Sequence, residues 1–232
     1  MGLIQHNSAS TAILLFAQSE KKESASKPIA YSSKQNVLLW KKMNNQVLKT
    51  IQLTKLPYFI SNENDQIGST FGEKITNSIL AIFEKGFDKV IVVGNDCVQL
   101  KAKFLHQAER NLQNNDWVIG SDYSGGAYLL GVTKSKFKAE SFKNIPWKTK
   151  NVFTALQSLY KTQSIAYLPC LNDCNDTFDF ERASYTLSFS DSFRKLILSF
   201  LPFQKVQNNY KTHNPSFDYQ ALNLNKGSPL NA

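Results

Sequence analysis

The sequence predicts an α/β protein, a three-layer sandwich in which helices cover both faces of a mostly parallel sheet. The clearest observation is the run KVIVV at residues 89–93, which has no polar alternation and stops at Gly94. Such a run is typical of a strand that is buried on both faces. The second observation is that short apolar strands alternate with helical segments along the chain, which favours a sheet with parallel strands.

The elements before residue 61 begin this alternation. Residues 12–17 are predicted to form the first strand, and a polar loop follows at residues 18–28. Residues 34–50 have apolar side chains in one stripe, which predicts an amphipathic helix. A short second strand is expected at residues 57–60.

The helix that begins after Thr70 has the clearest boundaries. Thr70 and Glu73 have the spacing of a capping box, in which the two side chains satisfy backbone N–H groups at the start of a helix. Its apolar face is formed by Ile75, Ile79, Ile82 and Phe83. Gly86 supplies the stop signal, so the helix leads directly into the strand at residues 89–93.

The second half of the chain continues in the same way. Helices are predicted at residues 100–112, 151–160 and 190–203, and strands at residues 117–120, 127–132 and 165–168. We expect residues 1–203 to form one domain. Residues 204–232 are rich in Asn, Gln, Lys and Ser and are expected to form a loosely held polar tail.

Composition predicts a globular protein of the reducing cytoplasm. The hydrophobic content is 42% and the charged content 19%, and no apolar run approaches the ~20 residues that a membrane-spanning helix needs. The first eleven residues are mostly polar, so we expect residues 12–17 to form a core strand and not part of a signal peptide. The three cysteines are few and odd in number, which favours free thiols. The histidines lie far from them in sequence, so no zinc site is expected.

The net charge of +9 has two interpretations. Lysines cluster at residues 41–42 and again between residues 134 and 150. They either form a solvated face or meet an anionic partner, such as a phosphorylated substrate or, weakly, an anionic lipid surface. A nucleic-acid partner is not expected, because no interleaving of aromatic and basic residues accompanies the charge.

Asp96 is the first candidate for a functional residue, because it follows the 89–93 strand after Gly94 and Asn95. Ligands of open α/β sheets bind at the carboxyl ends of the strands. A carboxylate at that place can hold a divalent cation against a phosphate. An ordinary turn or a helix cap would also explain Asp96, and both interpretations stay open.

Five segments, taken in order, resemble the motifs of one family. They are QIGSTFGEK at residues 66–74, GNDC at residues 94–97, GSDYSGGAYLLG at residues 120–131, IPWKT at residues 145–149 and DT at residues 176–177. Together they resemble the small bacterial glycosyltransferase-like family with the GT-A, nucleotide-diphospho-sugar transferase fold. That family was long catalogued as a domain of unknown function and is sometimes labelled selenodomain-associated transferase. The resemblance covers residues 11–180.

The resemblance implies a metal-assisted nucleotide site around Asp96. Mg²⁺ or Mn²⁺ held there would bridge a diphosphate and neutralise charge on the leaving nucleotide, and a hard cation needs only one or two carboxylates besides phosphate. Asp176 is the implied second carboxylate, and Asp173 is its substitute because the alignment needs a one-residue insertion. Asp176 could equally be the N-cap of a helix.

The resemblance also implies contacts to the rest of the ligand. Asn95, Gly125 and Gly126 are the implied nucleotide contacts, although the two glycines could simply serve a tight turn. Trp147 and Thr149 are the implied acceptor-site residues, and a packing role would also explain Trp147.

The first loop departs from the family pattern, which reads approximately F-A-K-x-P-x-x-G-x-V-K-T-R-L. In an alignment without gaps, Glu23 replaces the glycine, Ser26 the lysine, Lys27 the threonine and Pro28 the arginine. An arginine can bind a phosphate with two hydrogen bonds and a proline cannot. Lys27 is therefore the remaining candidate for a phosphate contact in this loop.

The acid of the D-G-G motif is also replaced, by Ser124. Asp122 lies two residues earlier and is the candidate catalytic residue, as a general base or a further metal ligand, if the loop rearranges. Two classes of function follow. The first is a transferase that moves a sugar or related group from a nucleotide diphosphate with the help of a metal. The second is a catalytically weak or silent relative that binds a nucleotide or a protein. A nucleotidyltransferase would require a more basic and glycine-rich first loop.

Overall fold

The computed structural model of the protein describes residues 11–201. The strands are β1 (Thr11–Phe16), β2 (Tyr58–Ser61), β3 (Lys89–Val93), β4 (Trp117–Asp122), β5 (Ala127–Thr133) and β6 (Ile165–Leu171). The helices are α1 (Glu20–Ser26), α2 (Ser33–Gln52), α3 (Phe71–Glu84), α4 (Ala102–Asn111), α5 (Ala139–Lys143), α6 (Val152–Leu159), α7 (Thr177–Tyr185) and α8 (Ser192–Phe200). A short 3-10 turn occupies Lys134–Lys136. The predicted tail at residues 204–232 lies outside the described residues.

The six strands form one sheet in the order β2-β1-β3-β5-β4-β6. Of these six strands in the described part of the chain, only β5 runs antiparallel, between β3 and β4, and the other pairs are parallel. The predicted mostly parallel α/β sandwich is therefore confirmed. Because five strands share one direction, their carboxyl ends lie along one edge of the sheet, the place at which such sheets bind ligands.

Side chains that alternate along the strands divide between two apolar layers. The even-numbered side chains of β1 pack with α3, α5 and α6. The odd-numbered side chains Ile13 and Leu15 pack with α2 and α4. A third apolar cluster joins α2 to α7 and α8. The sheet thus has a helix layer on each face, and the residues that follow the strands emerge between the two layers.

The helix after Thr70 is confirmed together with its capping box. The Thr70 side chain accepts from the Glu73 backbone N–H at 3.1 Å, and the Glu73 carboxylate accepts from the Thr70 N–H at 3.1 Å. Within residues 11–201, no helix is both long and apolar enough to cross a membrane.

The prediction of a loop at residues 18–28 was wrong, because this segment contains α1. Ser19 caps α1 and accepts a hydrogen bond from the Lys22 N–H. The sequence of α1, EKKESAS, has no apolar stripe, and its buried residues are Glu23 and Ser24. Contact with α2 and the Ser19 cap therefore explain the helix better than periodicity does.

Candidate functional site

A cleft of about 780 Å³ opens at the carboxyl edge of the parallel strands. Its floor is formed by the residues after β3 and β6 and by the turn between β4 and β5. One wall is the segment from Gln18 to Lys27, and the other is the beginning of α3 with residues 147–152. The size is typical of a small-molecule site.

Asp96 lies on the floor of this cleft, as its position after β3 predicts. Gly94 gives its carboxylate room, since a Cβ at Gly94 would lie only 2.8 Å from Asp96 Oδ1. The Asp96 carbonyl accepts a hydrogen bond from the Cys174 N–H at 2.9 Å. This bond joins the segment after β3 to the segment after β6, and it brings Asp173 beside Asp96.

Lys27 forms an ion pair with Asp96, with 2.8 Å between Nζ and Oδ2. The two side chains are only 23% and 19% exposed. Helix α2 holds the Lys27 backbone, because the Lys27 carbonyl accepts from Asn36 Nδ2 at 2.9 Å and from Trp40 Nε1 at 3.3 Å. The sequence predicted that Lys27 would lie in the site, but it predicted a phosphate contact and not an ion pair with Asp96.

Charge and burial oppose each other at this pair. Burial disfavours the Lys27 ammonium, but the Asp96 carboxylate raises the pKa of Lys27 above its ordinary value. Burial likewise disfavours the Asp96 carboxylate, but the Lys27 charge holds the pKa of Asp96 below its ordinary value. The two groups are therefore charged at neutral pH.

Asp173 is the second carboxyl group on the floor. Burial and the negative charge of Asp96 raise the pKa of Asp173 well above its ordinary value. Its Oδ1 is buried and has no hydrogen-bond partner among the described residues. A buried polar atom without a partner is costly in a folded protein, so this oxygen is available to a ligand.

Glu23 lies beside the same pair, on the wall formed by α1. Burial raises the pKa of Glu23, and the charge of Lys27 only partly offsets that effect. One ammonium group therefore faces several carboxyl groups, and a further cation at the floor would displace the protons that burial favours on Asp173 and Glu23.

Asp122 ends β4 and shapes the turn that follows. Its Oδ1 accepts from the backbone N–H groups of Ser124 at 2.5 Å and Gly126 at 3.0 Å. Gly126 is required there, because a Cβ would collide with Asp122 Oδ2. Asp122 lines the cleft, and its charge contributes to the raised pKa of Asp173.

The other predicted nucleotide contacts lie at or beside the cleft. Asn95 lines it and donates from Nδ2 to Asn44 Oδ1 at 2.7 Å. Gly126 also lines it. Gly125 has a φ of 88° and packs so closely on the Lys150 carbonyl that a Cβ would not fit. A tight turn thus explains both glycines, and Gly126 also lets the backbone reach the cleft.

The predicted acceptor-site residues lie on the wall opposite Lys27. Trp147 and Thr149 both line the cleft. Trp147 also packs on Phe71, with 5.5 Å between ring centroids, and its Nε1 donates to the Phe142 carbonyl at 3.0 Å. Trp147 is therefore both a packing residue and a residue of the cleft wall.

Asp176 does not lie with the other acids. It is the exposed N-cap of α7, and its Oδ1 accepts from the Asp179 N–H at 2.9 Å. Asp173, its substitute in the alignment, lines the cleft instead. The sequence signal that offered Asp173 in place of Asp176 is the one-residue insertion that the alignment needs in this segment.

A metal ion would find oxygen ligands at Asp96 and Asp173. Among residues 11–201, no group of three or more His, Cys, Asp or Glu side chains is arranged to hold a metal ion. Two carboxylates with a phosphate suffice for Mg²⁺ or Mn²⁺. The unpartnered Asp173 Oδ1 fits that role once a bound cation displaces the proton that burial favours on Asp173. The Lys27 ammonium would have to leave Asp96 Oδ2.

Comparison with known proteins identifies a family and a fold. A family described as "Uncharacterized protein conserved in bacteria (DUF2064)" matches residues 16–149. A protein from Desulfovibrio desulfuricans G20, provisionally described as a nucleotide-diphospho-sugar transferase, superposes with a TM-score of 0.74. It is 20% identical over 82% of this chain and 94% of that one. Such a likeness shows a shared fold, and it confirms the fold that the motifs predict.

A cytidylyltransferase from Leptospira borgpetersenii superposes less closely, with a TM-score of 0.42 and 13% identity over 82% of this chain and 93% of that one. No curated protein has a significantly similar sequence.

Proposed function

The chain belongs to the DUF2064 family of bacterial proteins, and from this membership and the fold we propose that it transfers a sugar or a related group from a nucleotide-diphosphate donor. The observation that carries the proposal is the position of Asp96. It lies at the carboxyl end of β3, on the floor of a cleft large enough for a nucleotide, beside a lysine and a second carboxyl group. This is the edge at which α/β sheets bind such ligands.

Asp96 and Asp173 would hold Mg²⁺ or Mn²⁺ in this proposal. The ion would supply Lewis-acid stabilisation of the negative charge that develops on the leaving diphosphate. Lys27 would then be available to the phosphate, since a lysine binds phosphate as a point charge. Its backbone is already held by α2.

Asp122 is the proposed general base. Its Oδ1 is engaged in the β4–β5 turn, which fixes the carboxylate in place. Its Oδ2 accepts no hydrogen bond from the described residues, and the residue lines the cleft. A carboxylate so placed can take the proton of an acceptor hydroxyl group. Ser124, where the resembled motif has an acid, supplies its backbone N–H to this arrangement.

A second function is favoured by the ion pair itself. The Lys27 ammonium occupies the Asp96 oxygen that a metal ion would need. If Lys27 stays there, the protein binds a nucleotide without a metal and is catalytically weak or silent. The two functions therefore differ in whether a metal ion strengthens nucleotide binding.

Isothermal titration distinguishes them. UDP-, GDP- and CDP-sugars are titrated into the wild type with and without Mn²⁺. We expect Mn²⁺ to tighten the binding of a nucleotide sugar to the wild type. In Asp96→Asn and Asp173→Asn, the affinity measured with Mn²⁺ should fall by at least about tenfold. Asp176→Asn removes a carboxylate of the same segment outside the cleft and is the matched control. If neither Mn²⁺ nor the Asp96→Asn change alters the affinity, the metal-assisted transferase is contradicted and the catalytically silent nucleotide-binding protein is supported.

A further inference from the structure

The two walls of the cleft carry lysines that come from opposite faces of the sheet. Lys22 and Lys27 belong to the α1 wall, and Lys27 Nζ lies 5.4 Å from the centre of the Trp40 ring on α2. Lys148 belongs to the other wall, and its Nζ lies 5.4 Å from the centre of the Phe71 ring on α3. The floor with Asp96 lies between these walls, so the cleft presents positive charge from two sides.

The lysines of the second wall have no acidic partner within residues 11–201. Lys74, Lys148 and Lys150 line the cleft, and none of them forms an ion pair with the described residues. The neighbouring Lys143 is different, because it pairs with Glu140 at 2.7 Å. Three ammonium groups at one wall without a counter-charge favour an anion in the cleft.

The segment that carries Lys148 and Lys150 is held in one conformation. Lys148 has a φ of 61°, which is unusual for a residue with a side chain. Thr149 Oγ1 donates to the Pro146 carbonyl at 2.7 Å and accepts from the Asn151 N–H at 3.2 Å. The Lys150 carbonyl packs against Gly125 in the β4–β5 turn. The fold therefore presents these two lysines at the cleft instead of leaving them on a loose surface loop.

We propose that the second wall is an acceptor subsite for a phosphomonoester that also carries a hydroxyl group. The hydroxyl oxygen would bond to the transferred group as the bond from that group to the nucleoside diphosphate breaks, the diphosphate would leave with the bonding electrons, and the hydroxyl proton would pass to Asp122. This inference rests on the proposed function, in which the donor diphosphate lies at Asp96 and Lys27. Since those residues serve the donor, Lys74, Lys148 and Lys150 are left for a second anion. Lysines bind phosphate as point charges and need no planar partner. Trp147 and Thr149, on the same wall, would contact the uncharged part of the acceptor.

The test is a calorimetric titration of the protein with glycerol 3-phosphate as the probe. It is run on the wild type without nucleotide and again in the presence of saturating UDP, GDP or CDP. We expect binding in both conditions, and a loss of roughly tenfold in affinity in the double variant K148Q/K150Q, because two charge contacts are removed. Glycerol, which lacks the phosphate, should not bind.

The matched control is K136Q/K138Q. It removes the same two charges from the same lysine-rich region, at exposed residues that do not line the cleft. Affinity for the probe should stay as in the wild type. An equal loss in both double variants, or no loss in K148Q/K150Q, would overturn the subsite. The failure of every nucleotide to bind would instead overturn the proposed function, and the titration without nucleotide would still decide the subsite.

Discussion

Lys27 and Asp96 show how single residues shape this site. The ion pair spans 69 positions of sequence, and both partners are largely withdrawn from solvent. Removing one partner of such a pair costs more than removing both, because the other charge stays buried without compensation. The pair therefore links the stability of the first wall to the chemistry of the floor.

Lys27→Met should lower the free energy of unfolding by about 2 kcal/mol, since it leaves the Asp96 carboxylate buried and unpaired. Urea denaturation at neutral pH measures the change. The double variant K27M/D96N should lose at least about 1 kcal/mol less than the sum of the single variants. Lys22→Met, at an exposed position of α1, the helix that ends just before Lys27, should change stability by no more than about 0.5 kcal/mol.

The pH dependence of this contribution follows from Asp96. Its pKa in the folded protein lies below the ordinary value of 3.8. The stabilisation is therefore present above that value and is lost as the pH falls through the lower pKa of the folded state. If the stability losses of K27M and D96N at neutral pH add up to the loss of K27M/D96N, the ion pair does not form.

At the scale of elements, the beginning of α3 shows a local sequence signal that the tertiary structure keeps. The Glu73 carboxylate accepts from Ser69 Oγ at 2.6 Å, from the Ser69 N–H at 2.7 Å and from the Thr70 N–H at 3.1 Å. These bonds, led by that from the Ser69 side chain, lower the pKa of Glu73 to about 2. Gly72, within the first turn, lets α3 approach the Lys143 carbonyl at the end of α5.

Glu73→Gln should therefore change how stability depends on pH. The pKa of Glu73 is lower in the folded protein than its ordinary 4.5, so the stabilisation by its charge is complete above that value. It is lost as the pH falls through about 2. Unfolding of the wild type and E73Q should differ at pH values above about 5 and converge in acid. A difference that is the same at every pH would show that the charge plays no part in the cap.

At the scale of the whole molecule, the fold redistributes the lysines that cluster in the sequence between residues 134 and 150. Lys134 donates to the Phe83 carbonyl at 3.2 Å, and Lys143 pairs with Glu140. Lys148 and Lys150 line the cleft. Of the six lysines, this leaves Lys136 and Lys138 exposed outside the cleft with no side-chain partner among the described residues, and Lys134 is exposed as well. We therefore expect a contact with anionic lipid to be weak.

Sedimentation with phosphatidylserine vesicles tests this expectation. Binding at low salt should fall steeply as ionic strength rises, because exposed charges are screened. K136Q/K138Q should weaken it further, since each lysine near the surface contributes about 1 kcal/mol. Binding that does not depend on salt would contradict an electrostatic contact.

The sequence by itself determined the sandwich, the boundaries of α3 and the place of Asp96. These features depend on apolar periodicity and on residues a few positions apart, which can be read directly along the chain. Helix α1 was missed because it has no apolar stripe to recognise.

Only the tertiary structure decided which charged groups meet. It placed Asp173 on the floor and Asp176 at a helix cap, paired Lys27 with Asp96, and brought Lys148 and Lys150 to the opposite wall. These contacts join residues far apart in sequence. They depend on the order of the strands and on the exact length of each connection. A shift of one residue along a strand moves its side chains to the opposite face of the sheet.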